Sequence, residues 1–103
     1  MVIEGKSFHS DLIIYPDKID ASWWRKAGHR VQFDDLTSVL AANPDVLIIG
    51  TGSMSLMNVP EDLQKAIRKK NIDLYIEDSR RAVELFNLIN TKRRTIAAFH
   101  LTC

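Results

Sequence analysis

Cysteine is almost absent from this chain, because Cys103 is the only one. A single cysteine forms no intrachain disulfide, and no Cys-x-x-Cys pair is present to hold zinc. His9, His29 and His100 are scattered, without the short spacings of a histidine metal site. We therefore expect a protein of a reducing compartment that holds no metal and no cofactor.

Long apolar runs and a dominant charge are also missing. No stretch approaches the ~18 apolar residues that suggest a membrane helix, and residues 1–4 enter a structural pattern without a leader segment. The 14 Lys and Arg residues nearly balance the 13 Asp and Glu residues, which gives a net charge of +1. A nucleic-acid role would rest only on the basic residues of 65–70 and on Arg93-Arg94, against this balance. We expect a cytoplasmic protein with no membrane insertion and no nucleic-acid partner.

Glycine and proline are few, with 4 and 3 residues, and no Gly-, Pro- or Ser-rich segment divides the chain. A length of 103 residues with 46% hydrophobic residues is typical of one domain with its own core. We therefore predict a single domain over residues 1–103.

The most informative stretch runs from Asp45 to Gly52 and reads DVLIIGTG. A continuous aliphatic run of this kind is typical of a strand buried on both faces. The Gly50-Thr51-Gly52 ending predicts a turn where the backbone leaves the sheet, because glycine adopts positive φ angles without steric cost. This turn is the first candidate for a ligand site.

The first half of the chain otherwise predicts short elements with antiparallel pairing. They are an opening hairpin that pairs Val2-Ile3 with residues 11–15, an irregular connection over 19–29, a strand at 30–33, and a short helix capped by Asp34 or Asp35.

The second half predicts strands that alternate with helices. They are the strand ending at Gly50, a helix from Pro60 to about Lys70, a strand over 72–77, a helix capped by Asp78 or Ser79, and a last strand over 95–101. This alternation implies parallel pairing beneath covering helices. Together the two halves predict an α/β fold with a mixed sheet and an added N-terminal hairpin.

A crevice is expected beyond the carboxyl ends of the strands, where ligands of open α/β sheets bind. The glycine turn and Glu77 both lie at such ends. Freed backbone amides, the Thr51 hydroxyl and a helix start suit a phosphate or a carboxylate. The match is weak, because a P-loop lysine and the third glycine of a dinucleotide fingerprint are missing. The alternative is that Gly50 and Gly52 only bend the chain.

The second candidate cluster is Trp23-Trp24-Arg25-Lys26 with His29. One tryptophan is expected in the core, because its large apolar surface dominates packing wherever it is covered. In an extended segment the other, Trp24, faces a groove or solvent, and Arg25 and His29 then offer positive charge and a proton donor to an anion. The alternative is that Arg25 forms a surface ion pair and His29 bonds within its loop.

Catalytic constellations are not recognisable. Ser53 and Ser55 follow the glycine turn without the Gly-x-Ser-x-Gly pattern of a nucleophile elbow. Cys103 has no evident activating partner. Met54, Leu56 and Met57 predict an apolar lip or a loop folded over the core, which suits a protein partner as well as a small molecule.

Several motifs occur in order along the whole chain: Asp11-x-Ile13-Ile14-Tyr15-Pro16, Trp23-Trp24-Arg25-x-x-Gly28-His29, Leu47-Ile48-Ile49-Gly50-Thr51-Gly52, Val59-Pro60, Asn87-x-Ile89 and Ala97-Ala98-x-His100-Leu101-Thr102-Cys103. In these motifs the chain resembles the small α/β domain family of unknown function that archaeal and bacterial proteins share with the mitochondrial complex I assembly factor 3 and the adipogenesis-associated domain protein. The resemblance implies a three-layer sandwich with a mixed central sheet, flanking helices and an extra hairpin. It supplies no reaction, and the mitochondrial member acts in assembly of a respiratory complex.

Two functional hypotheses follow. The first is a non-enzymatic binding or assembly module, whose crevice of Gly50, Thr51, Gly52, Trp24, Arg25, His29 and Glu77 takes a protein partner or a small anionic ligand. The second is an enzyme or sensor for a phosphate- or carboxylate-bearing metabolite, with Arg25 as the anion anchor and His29 or Glu77 as acid or base. The oligomeric state is left open by the sequence.

Overall fold

A computed structural model describes residues 2–3, 6–7, 11–23, 31–52 and 57–100 of the chain. Its strands are β1 (Val2–Ile3), β2 (Lys6–Ser7), β3 (Leu12–Ile14), β4 (Ile19–Asp20), β5 (Val46–Gly50), β6 (Asp73–Glu77) and β7 (Thr95–Phe99). Its helices are a 3-10 helix at Phe33–Leu36, α1 (Thr37–Ala41), α2 (Glu61–Arg68) and α3 (Ser79–Ile89).

Five of these strands form one mixed sheet in the order β4-β3-β7-β5-β6. β5 pairs in parallel with β6 on one side and with β7 on the other. β3 pairs antiparallel with β7 and with β4. The predicted mixed α/β sheet is therefore confirmed, with the two aliphatic strands β5 and β7 side by side in its interior and buried at every residue.

Alternation along the strands divides the core into two layers. On one face Ile49 of β5 belongs to a cluster that includes Ile67 of α2. On the other face Ile48 joins a cluster that includes Ala82 of α3, with Phe86 packed against it. Helices thus cover both faces of the sheet, which is the three-layer arrangement that the resemblance implied.

The N-terminal hairpin differs from its prediction. Val2–Ile3 pairs with Lys6–Ser7 in a separate two-stranded sheet, and not with residues 11–15. Leu12–Ile14 is buried throughout, so this apolar segment is better satisfied inside the main sheet, next to β7. Its own hairpin leads to β4, closed by a hydrogen bond from the Tyr15 amide to the Lys18 carbonyl at 2.8 Å.

The segment predicted as a strand at 30–33 also differs, as far as it is described. Arg30 lies outside the described residues, and Phe33 begins the 3-10 helix instead of ending a strand. The Gln32 amide donates to the Asp35 carboxylate at 2.8 Å, and this capping box bends the chain. Of the predicted connection over 19–29, Ile19–Asp20 forms β4, and residues 24–29 lie outside the described ranges.

The helices of the second half follow their predictions closely. α2 begins directly after Pro60, and α3 begins after Asp78, whose carboxylate accepts the Arg81 amide at 3.0 Å. Asn71 follows α2 in a left-handed conformation with a φ of 63°. Asparagine tolerates this region better than most residues, which explains how the helix ends there.

β5 approaches its neighbours most closely at its last residue. A Cβ atom added to Gly50 would lie 2.8 Å from Phe99 Cδ1 and 3.0 Å from Ser79 Oγ. Glycine is therefore required at this position by close packing. Gly52 is favoured for another reason, because its φ of 95° is a conformation that side chains rarely adopt.

We expect Gly50→Ala to lower the free energy of unfolding by about 1–3 kcal/mol, because the added methyl group overpacks the contact with Phe99 and Ser79. Urea denaturation measures the loss. Ser38→Ala, on the exposed surface of α1, is the control and should stay within about 0.5 kcal/mol of the wild type. A Gly50→Ala protein as stable as this control would contradict the close packing.

The left-handed backbone at Asn71 predicts opposite effects of two small substitutions. Asn71→Ala should lower the free energy of unfolding by about 1 kcal/mol, whereas Asn71→Gly should leave it unchanged or raise it, because only alanine is strained at positive φ. Asn90 ends α3 with a φ of −60° and is the matched control, since alanine should be the better residue there. Thermal or urea unfolding measures the stability of Asn71→Ala, Asn71→Gly, Asn90→Ala and Asn90→Gly. The same order of stability of the alanine and glycine variants at both positions would refute this account.

Candidate functional site

The candidate site lies at the edge of the sheet where three parallel strands end. β5, β6 and β7 run in the same direction, so the Gly50-Thr51-Gly52 turn, Glu77 and the residues after Phe99 meet there. The predicted neighbourhood of the glycine turn and Glu77 is therefore observed in the sheet register, where Gly50 is the partner of Glu77.

The buried Ser79 hydroxyl joins three chain segments at this edge. It accepts a hydrogen bond from the Gly52 amide at 2.9 Å and donates one to the His100 carbonyl at 2.6 Å. The His100 amide in turn donates to the Gly50 carbonyl at 2.9 Å. The end of β5, the end of β7 and the start of α3 are thereby held together.

The donors of the glycine turn serve these internal contacts. The Thr51 amide and the Thr51 hydroxyl both donate to the Glu77 carbonyl, at 2.9 Å and 3.1 Å. The Gly52 amide is held by Ser79, as described above. The groups that the sequence offered for a phosphate or a carboxylate are thus engaged within the protein in this structure.

His100 and Asp11 form a second polar contact at the same edge. Nδ1 of His100 lies 2.8 Å from Oδ2 of Asp11, and both side chains are largely buried. The pair links the end of β7 to the start of β3, and His100 is a hydrogen-bonded core residue. Asp11 was missed as its partner, because 89 positions separate the two residues.

Trp23 is the tryptophan that enters the core. It is 7% exposed, its amide donates to the Asp11 carbonyl at 3.1 Å, and its indole Nε1 donates to the Asp35 carbonyl at 3.1 Å. The expectation that one of the two tryptophans is buried is met. Trp24, Arg25 and His29 lie outside the described residues, so their place in a crevice stays a prediction.

An open cleft of about 460 Å³ lies beside the turn, at the carboxyl end of β6. We call it the edge cleft, and it is lined by Thr51, Met57, Asn58, Val59, Gln64, Ile76, Glu77, Asp78 and Arg81. Of the predicted site residues it brings Thr51 and Glu77 together. Gly50 and Gly52 are not among its lining residues, and both are buried.

The edge cleft is mostly polar, with a small apolar floor and a charged rim. Met57 and Val59 are buried members of the core cluster on the α2 side, so Met57 folds over the core, while Met54 and Leu56 lie outside the described residues. Glu77 and Asp78 contribute carboxylates, and Arg81 contributes a guanidinium group.

Sequence reasoning missed the polar residues that complete this rim. Gln64 on α2 donates from Nε2 to the Val59 carbonyl at 2.8 Å and so fixes the segment before the helix. Arg81 follows the Asp78 cap by one turn of α3, a spacing that could have indicated a shared face. The position of Gln64 depends on how α2 packs, which no local signal reveals.

Within the described ranges, no group of three or more His, Cys, Asp or Glu side chains is arranged to hold a metal ion. In those ranges, every helix is too short or too polar to cross a bilayer.

Solved structures with the same architecture include a conserved hypothetical protein from Pyrococcus horikoshii OT3, with a TM-score of 0.81 and 25% identity over 98% of this chain and 90% of that chain. A protein from Rhodopseudomonas palustris has a TM-score of 0.75 and 26% identity, covering 97% and 75%. A protein from Bartonella henselae, described as an outer membrane protein, has a TM-score of 0.78 and 24% identity, covering 97% and 85%, and this likeness shows the fold alone.

These likenesses extend over nearly the whole chain, and the sequence agrees with them. Residues 1–101 match the family described as "Protein of unknown function (DUF498/DUF598)". The chain therefore belongs to this family of proteins of unknown function.

Proposed function

We propose that the protein is a non-enzymatic binding module, whose edge cleft takes an extended segment of a partner protein. The observation that carries the proposal is the charged rim, which surrounds a small apolar floor at the open end of β6. The resemblance to complex I assembly factors supports a role in assembling a larger complex.

The apolar floor is suited to a hydrophobic side chain of the partner. Met57, Val59 and Ile76 line the cleft, and all three belong to or pack against the core cluster on the α2 side. Such a floor is held in place before binding, so that little conformational entropy is lost on association. Met57 and Val59 are already buried, so an apolar side chain of the partner adds only a small hydrophobic contribution here.

The rim favours a basic partner. Glu77 and Asp78 contribute two carboxylates against the single guanidinium of Arg81. Asp78 also accepts the Arg81 amide as the cap of α3, so its oxygen is already partly occupied. Glu77 is therefore the main acidic group available to a lysine or an arginine of the partner.

A small anion is a poorer match to the same rim. Phosphate in the cleft would meet both carboxylates, and the amides of Thr51 and Gly52 donate elsewhere. The metabolite hypothesis thus depends on Arg81, together with Arg25 and His29, whose part in the crevice stays a prediction.

The role of Glu77 can be tested with a display library of random 12-residue peptides. We expect selected peptides to share a basic residue beside an apolar one, and to bind Glu77→Gln about two- to fivefold more weakly, which is the usual strength of a partly exposed ion pair. Glu84→Gln is the matched control on the exposed side of α3 and should bind as the wild type does. Fluorescence anisotropy measures the affinities. Failure to select any peptide, or equal binding to both variants, would overturn the proposal.

The metabolite alternative is tested by titration with inorganic phosphate and with citrate. We expect no rise in melting temperature beyond that in sodium chloride of equal ionic strength, because the turn donors are internally bonded. Saturable stabilisation that Arg81→Ala removes, and that Arg80→Ala on the neighbouring exposed position retains, would favour the metabolite and count against a peptide site.

A further inference from the structure

β6 is the last strand of the five-stranded sheet. β5 occupies one of its sides, and among the described residues no strand pairs with the other. An open edge presents backbone donors and acceptors that can pair with a strand of another chain. The edge cleft lies at the carboxyl end of this strand and includes Ile76 and Glu77.

Leu74 and Ile76 of β6 direct their backbone groups to the outer edge, because their neighbours along the strand bond to β5. The Asp73 amide donates to the Asp45 carbonyl at 3.0 Å, and the Glu77 carbonyl accepts the Thr51 amide at 2.9 Å, so these residues bond towards β5. Because alternate residues of a strand bond to opposite sides, Leu74 and Ile76 present their N–H and C=O groups to the outer edge.

Among the described side chains, Arg68 forms a weak contact with the outer edge of β6. Nη2 of Arg68 lies 3.4 Å from the Leu74 carbonyl, and Nη1 of the same residue lies 3.4 Å from Oε1 of Gln64. Both are long hydrogen bonds from an exposed side chain, so water or another donor can replace them at little cost.

The charges on β6 favour a basic strand as the incoming segment. Antiparallel pairing of two copies about Tyr75 would place Asp73 opposite Glu77, and the repulsion between them is weak because Arg93 offsets the Asp73 charge. Asp73 is already paired with Arg93, at 2.5 Å. Glu77 therefore remains as the acidic group that a basic residue of an incoming strand would meet.

We propose that an extended, basic segment of a partner protein adds to the outer edge of β6 as a sixth strand and continues into the edge cleft. This inference rests on the proposed function and specifies its partner. The Leu74 and Ile76 backbone groups supply the hydrogen bonds, Glu77 receives a lysine or an arginine, and Arg68 moves aside. The side chains of the incoming strand alternate, and one set contacts the exposed face of Tyr75.

The experiment uses amide hydrogen exchange followed by NMR, with the acetylated peptide amide Lys-Val-Thr-Val-Thr-Val as probe. At saturating peptide we expect exchange at Leu74 and Ile76 to slow by about tenfold or more, whereas Tyr75, already bonded to β5, changes little. Methylating the backbone nitrogens of one alternate set of residues in the peptide should abolish binding. Methylating the other set should not, because its N–H groups point away from β6.

The outcomes separate the two proposals. Chemical-shift changes at Thr51, Glu77 and Arg81 with unchanged exchange at Leu74 and Ile76 would leave a cleft that binds peptides and would overturn the sixth strand. Equal loss of binding from both methylated peptides, or no chemical-shift change at any residue, would also overturn the sixth strand. The peptide library tests the edge cleft independently of this experiment. Protection that grows with protein concentration and without peptide would assign the edge to a second copy and refute the proposal.

Discussion

The buried hydroxyl of Ser79 is the contact on which the carboxyl edge of the sheet depends. It satisfies the Gly52 amide and the His100 carbonyl at once, and both groups would otherwise lie in the interior without that partner. Its position depends on the absence of a Cβ at Gly50, since an added atom would lie 3.0 Å from the same oxygen and would push it aside. A small hydroxyl residue at the start of α3 and a glycine at the end of β5 are therefore one structural requirement.

This requirement leaves little open space at the glycine turn. A turn that follows a buried strand usually attracts attention because its amides can approach a ligand. Here Ser79 and Glu77 receive the donors of the turn, and Phe99 fills the space beside Gly50. The open space lies one strand further out, where β6 ends and where the helices α2 and α3 diverge over opposite faces of the sheet. The closed turn and the edge cleft therefore lie side by side at the same end of the sheet.

The sequence predicted the elements whose signals are local and strong. The aliphatic runs gave β5 and β7, and the Asp78 cap gave the start of α3. It predicted strands at Val2–Ile3 and within 11–15 but paired them with each other, and it missed β2 and β4. So short a segment has no period, and its pairing depends on which apolar neighbour is available. The edge cleft was only half predictable: Thr51 and Glu77 follow from strand ends, whereas Gln64 and Arg81 reach it through helix packing.

The edge strand β6 has a regular backbone along its whole length. Proteins that close an edge interrupt it with proline, a bulge or a covering element. β6 keeps five regularly paired residues without proline or glycine, and two acidic residues frame its apolar centre. The chain as a whole is nearly neutral, with a net charge of +1, so nearby charged groups set the electrostatic potential at β6. In the proposed complex Glu77 attracts a basic strand, whereas Asp73 is held by Arg93, so the choice of partner depends on the carboxyl end of β6.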